Sequence, residues 1–198
     1  MLRLRIRGVE LRVTFWFLAF VSLALGAADT SAVGMFALFS LAHELGHLTA
    51  LVMCGAMPGY MLLSLGRFEI GAATDGLPRR QQAAVLVCGP LVNFALAGAF
   101  AVFGKAVPVR INLFLALINC LPAAHLDGGQ LAALALLPRF GKKGEWSLST
   151  LSFLCGALVC AIGIISVCMK NGNPTALLFG IYLLISTLRE QNAYTNDA

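Results

Sequence analysis

Charge is scarce in this sequence. Only 12% of its 198 residues are Asp, Glu, Lys or Arg, against 59% hydrophobic, and just nine are acidic. Soluble domains carry about 25% charged residues, so a water-soluble enzyme is excluded, and a mean hydropathy of +0.85 agrees. Six cysteines, Cys54, Cys88, Cys120, Cys155, Cys160 and Cys168, lack the close spacing of a disulfide framework or a zinc ribbon and read as packing residues. The sequence shows no internal repeat, low-complexity tract or separate soluble domain, so residues 1–198 read as a single membrane-embedded domain. It also has no pattern typical of an RNA or DNA binder.

What is present is apolar sequence in blocks of membrane-spanning length. The runs are Val13 to Ala28, Ser31 to Ala56, Ala83 to Gly104, Ile111 to Leu137 with an internal break, Ser147 to Met169, and Ala176 to Leu188. They predict an all-α polytopic membrane protein with about six transmembrane helices. The last run is short against the roughly 20 residues a straight span needs, which leaves a five-span version open. The first run follows a basic arm (Arg3, Arg5, Arg7, Arg12), as a signal peptide does, but Ala27, Ala28 and Asp29 make a weak cleavage site and the run reads as retained. With six spans, 11 of the 14 Lys and Arg residues fall on the side of the two termini, and only Lys105, Arg110 and Lys170 on the other. Cytoplasmic loops hold such residues, so both termini are expected in the cytoplasm. The net charge of +5 then follows from topology and anionic lipid, with no nucleic acid partner required. Between the second and third spans, Tyr60 to Ile70 reads equally as a small cytoplasmic β-hairpin or an irregular loop.

Two of the nine acids, Glu44 and Asp127, lie within apolar runs, where ionisable groups are costly and mark function. All three histidines, His43, His47 and His125, share those two runs. His43, Glu44, Leu45, Gly46 and His47 form the H-E-x-x-H pattern. On a helix, four residues advance about 400° and about 6 Å, so the two imidazoles leave one face a turn apart and can grip one ion. Glu44 sits about 100° around the axis from His43 and about 60° from His47, beside the ion, where a carboxylate can take a proton from water. Imidazole donors favour zinc, with cobalt, iron or manganese as alternatives. The bland reading, two hydrogen-bonded helix histidines, would place three polar groups in lipid at a cost of several kcal/mol.

A catalytic zinc site takes three protein ligands and keeps one position open. In the fourth run, Pro122 interrupts the helix and Gly128 and Gly129 free the backbone around His125 and Asp127. Irregular backbone at membrane depth is tolerated where protein or water surrounds it. Asp127 is the first choice as third ligand and His125 the alternative. Asp127 could also cap the helix that follows, alongside ligation.

These residues resemble the site-2 proteases, a family of intramembrane zinc metalloproteases. The family's first motif stands at His43 to His47, and its second, N-x-x-P-x-x-x-L-D-G, at Asn119, Pro122, Leu126, Asp127 and Gly128. Gly89, Pro90 and Asn93 fit a G-P-x-x-N pattern seen in many members. The resemblance covers a three-helix catalytic core from about Ser31 to Leu137 and is strongest to the compact six-span branch that includes a sporulation sigma-factor-processing protease. His125 departs from the proline common at that place, and is expected to tune the site, to hydrogen-bond a ligand or to face water. The nucleotide-sensing domains and the extracytoplasmic peptide-binding domain of some relatives have no counterpart here.

The resemblance implies zinc held by His43, His47 and Asp127, and Glu44 as general base. The reaction implied is cleavage of a membrane-tethered protein in or near its transmembrane segment, at a bacterial cell membrane, with a cytoplasmic product. Membrane regulatory partners are a further expectation. Asn119 and Asn93 are candidates for binding substrate or the oxyanion, or equally for bracing the broken helix. A metal transporter would use the same ligands, but spans five and six carry no ionisable residue in their apolar cores. A catalytically idle relative would not need Glu44.

Overall fold

The computed structural model describes residues 2–6, 9–13, 30–56, 58–64, 67–72, 76–123, 126–169 and 174–196. The first apolar run falls almost wholly outside them, as does His125. The chain divides into two compact units, Met1–Leu117 and Ile118–Ala198.

The first unit opens with strands β1 (Leu2–Ile6) and β2 (Val9–Val13), adds helix α1 (Thr30–Met53), then strands β3 (Pro58–Ser64) and β4 (Arg67–Ala72), and continues into α2 (Arg79–Val102) and α3 (Ala106–Asn119). The four strands form one sheet in the order β1-β2-β3-β4. Leu-Arg-Leu-Arg-Ile and Val-Glu-Leu-Arg-Val each alternate apolar and charged residues, the period of a strand with one buried face. Their antiparallel register sets Leu4 opposite Leu11 and Arg5 opposite Glu10. β2 and β3 pair in parallel, which requires a long crossover, and the intervening chain includes α1. β3 and β4 pair antiparallel, with Leu63 opposite Phe68. The Tyr60 to Ile70 segment is thus two strands of a larger sheet, half of which comes from the basic N-terminal arm.

α1 and α2 end alike. Gly55 and Gly104 have positive φ (79° and 64°), which glycine adopts without a Cβ penalty. Ala56 then donates back to the Leu51 carbonyl at 3.2 Å and Lys105 to that of Phe100 at 3.0 Å, satisfying carbonyls left over at the helix end. Between these ends the helices lie close. A β-carbon at Gly46 would stand 2.9 Å from the Cys88 carbonyl oxygen, so only glycine permits this approach. Ala50, Leu51 and Val85 form a buried cluster beside Cys54, Ala56, Leu77 and Cys88, and Phe39 meets Phe100 edge-on.

In the second unit the chain leaves α3 at Asn119, runs without helix through Pro122 and Ala123, and resumes as α4 (Asp127–Phe140), α5 (Lys142–Cys168) and α6 (Thr175–Asn196). The fourth apolar run is therefore two helices of 14 residues around a break. Buried Ser152 of α5 donates to the Pro122 carbonyl at 3.4 Å, engaging a backbone group that the break frees. α5 and α6 approach through glycine on both sides, with Gly156 against Leu184 and Gly180 against Cys160.

Among the described residues, three helices, Ser31–Met53, Arg79–Val102 and Lys142–Cys168, are long and apolar enough to cross a membrane. Large apolar side chains stand exposed along them, among them Leu38, Leu41, Leu91, Leu154, Leu158 and Ile165. In water such a surface would aggregate; lipid is its solvent, and the chain is a membrane protein.

Candidate metal centre

The first unit builds a histidine pair. His43 and His47, one turn apart on α1, are both buried, and their Nε2 atoms face each other at 3.1 Å. The opposite nitrogen of each ring is tied to α2. His47 Nδ1 contacts the Val85 carbonyl at 2.7 Å, and His43 Nδ1 contacts Asn93 Oδ1 at 2.6 Å. A carbonyl only accepts, so His47 carries its proton on Nδ1.

Asn93, with no exposed surface, donates through Nδ2 to the Phe39 carbonyl (3.3 Å) and to Asn112 Oδ1 (2.9 Å). Its oxygen is thereby turned to His43, whose Nδ1 must also be the protonated nitrogen. Both rings consequently present the Nε2 lone pair to the same point.

Val85, Gly89 and Asn93 lie at i, i+4 and i+8, a stripe on one face of α2. α1 runs past it in the opposite direction, so His47 meets Val85 and His43 meets Asn93. Gly89 sits between. A β-carbon there would collide with His47 Nε2 and stand 2.7 Å from His43 Nε2. The G-P-x-x-N pattern thus has a physical content: glycine leaves room at the two nitrogens, and asparagine fixes one ring. Asn93 places both amide hydrogens inside the protein, on the Phe39 carbonyl and Asn112 Oδ1, and its oxygen on the His43 ring.

Two neutral imidazoles whose lone pairs converge at 3.1 Å repel unless a cation lies between them. Zinc–nitrogen bonds of about 2.0–2.1 Å at a near-tetrahedral angle put two nitrogens about 3.3 Å apart, close to the observed spacing. The pair fits a metal ion.

In the second unit, Asp127 is the first residue of α4, and the cap position belongs to Leu126, in extended conformation and without a side-chain cap bond. Asp127 is therefore not the cap, although a carboxylate in the first turn suits the helix dipole. Gly128 holds it there. A β-carbon at Gly128 would collide with the Cys120 carbonyl oxygen and lie 2.7 Å from that of Leu121, so the aspartate must be followed by glycine for α4 to begin against the break. Asn119 closes α3 just before that break and is half-buried. Glu44, between the histidines on α1, is half-buried as well. His125, the alternative ligand, lies outside the described residues.

Within the first unit, His43 and His47 offer two donor nitrogens to one point, one protein ligand fewer than a catalytic zinc site takes. Asn112 is a residue that the ionisable pattern does not reveal. It is fully buried in α3, accepts from Asn93 and donates from Nδ2 to the Pro108 carbonyl at 2.9 Å. Its signal in the sequence is an amide in an apolar helix, where an unpaired polar group is costly.

No protein-family profile and no curated protein matches the chain by sequence. A solved structure does match by fold, the "Site-2 Protease from Methanocaldococcus jannaschii", with a TM-score of 0.69 over 96% of this chain and 94% of that one, at 20% sequence identity. The chain shares that protein's fold over nearly its whole length. The likeness does not single out the sporulation branch.

Proposed function

We propose that the chain is an intramembrane zinc metalloprotease of the site-2 type, acting as one membrane-embedded domain on a membrane-tethered protein and cutting in or near its transmembrane segment. The observation that carries this reading is the converging pair of Nε2 atoms, 3.1 Å apart on the H-E-x-x-H helix with both Nδ1 protons already engaged. The fold shared with a solved site-2 protease supports it.

In this reading His43 and His47 hold the ion and Asp127 is the third ligand. When bound, zinc would acidify water and polarise the scissile carbonyl. Glu44 takes the proton from the attacking water on its carboxylate and delivers it to the leaving amine nitrogen, a contribution of about 10²–10⁴-fold. Asn119 remains a candidate to hydrogen-bond substrate at the break. A helical substrate must unwind before its carbonyl can be attacked. β4 ends the strand order, so its outer edge can receive an extended segment by strand addition. His47 lies on the cytoplasmic side of His43 if both termini are cytoplasmic, and the product is then released to the cytoplasm.

The test is Glu44→Gln in proteoliposomes with a tethered model substrate. Zinc content and fold should equal wild type while cleavage falls at least 100-fold. Undiminished cleavage would remove Glu44 as the base; absence of zinc from the active wild-type protein would remove the whole reading.

A further inference from the structure

A chain of amides connects Nδ1 of His43, the ring nitrogen opposite the one that would face a metal, to the backbone of α3. Asn112 Nδ2 donates to the Pro108 carbonyl (2.9 Å), Asn112 Oδ1 accepts from Asn93 Nδ2 (2.9 Å), and Asn93 Oδ1 faces His43 Nδ1 (2.6 Å). An isolated asparagine can turn its amide over, exchanging donor and acceptor at small cost. Here neither can do so freely. The carbonyl of Pro108 fixes the amide group of Asn112, and the carbonyl of Phe39, at 3.3 Å, is the other anchor of Asn93 Nδ2 among the described residues. That second bond is long, so the 2.9 Å bond from Asn93 to Asn112 is the stronger hold on the Asn93 orientation.

The consequence reaches the ligand. Were Asn93 to turn over, its NH2 would face His43 Nδ1, and the imidazole would answer by moving its proton to Nε2. A protonated Nε2 cannot bind a metal. Both asparagines have 0% exposure, so water cannot take over either bond.

We propose that Asn112 is a positioning residue for the metal centre: through Asn93 it holds His43 in the Nδ1-protonated tautomer, keeping Nε2 as a ligand before any ion arrives. This rests on the metal reading of the histidine pair. It assigns to α3 a part in metal affinity although Asn112 touches neither the ion nor its ligands.

The experiment uses the full-length protein labelled with ¹⁵N-histidine, stripped of metal and then titrated with Co²⁺ or Zn²⁺. Ring nitrogen shifts report the tautomer without metal or activity. In the wild type His43 should be Nδ1-protonated. In Asn112→Leu, of similar size, it should show an Nε2-protonated population, with His47 unchanged, and metal affinity should fall about tenfold, the low end of losses for an outer-shell partner. Asn112→Asp should restore the wild-type tautomer, because its oxygen accepts from Asn93 whether or not it is protonated. If Asn112→Leu does not fold, Asn112→Ser, too short to reach Asn93, is read in the same way.

A wild-type tautomer and an affinity within twofold in the Leu or Ser variant would overturn the proposal, as would an Asp variant that behaves like Leu. Failure of the metal reading looks different, since the wild type would then bind neither ion whatever its tautomer.

Discussion

At the scale of single residues, the two imidazoles draw their meaning from what lies behind them. His43 and His47 each give Nδ1 to an acceptor on α2, which orients the rings before any ion is bound and reduces the reorganisation that binding would require. Two histidines alone leave a zinc site one protein ligand short. Asp127→Ala should therefore lower bound zinc well below one per chain in protein purified without added metal, as read by elemental analysis, while the melting profile of the metal-free protein stays near wild type. Full occupancy would turn attention to His125. The pairing of His43 and His47 was legible in the sequence from their four-residue spacing on a helix. The role of Asn93 was not, because an amide both donates and accepts, and only the positions of Phe39, Asn112 and His43 decide which end does what.

At the scale of elements, glycines decide how closely backbones pass. Gly46 lets α1 lie against the Cys88 carbonyl, Gly89 makes room for two imidazole edges, and Gly128 seats the start of α4 against the turn after Asn119. Adding a methyl group at Gly128 meets backbone oxygens, which cannot swing aside like a side chain, so overpacking should cost about 1–3 kcal/mol. Gly128→Ala is expected to lower the thermal midpoint in detergent and, on the proposed role of Asp127 as third ligand, also to reduce zinc stoichiometry, because the strain falls on the residue that follows it. Unchanged stoichiometry with full stability would show that the break is looser than these contacts imply. The helices and the break at Pro122 could be read from hydropathy and proline alone. The strands β1 and β2 were hidden for a physical reason: the same arginines that alternate with Leu2, Leu4 and Ile6 also serve as a topology signal, and in a short basic arm the two patterns coincide.

For the whole molecule, the distribution of charge and the helix lengths together constrain how the chain crosses lipid. α3 and α4, at 14 residues each, are about 21 Å long, short of the roughly 30 Å hydrocarbon layer, so neither is long enough to span it alone. In α6 the apolar part covers only Ala176–Leu188, although the helix itself continues to Asn196. Hydropathy read the apolar part and missed the polar continuation, since a helix can extend past the membrane without changing its backbone. By their place in the sequence, Arg79 and Arg80 at the start of α2 and Lys142 and Lys143 at the start of α5 are expected on the cytoplasmic side, and Lys105 and Arg110, which follow α2, on the other. Reporter fusions that become active only on one side of the membrane should accordingly place both termini and the β3–β4 segment in the cytoplasm and the Lys105 turn outside. A Lys105 fusion reporting from the cytoplasm would invert α1, turn the end bearing His47 away from that compartment, and require the cleaved product to leave on the opposite face.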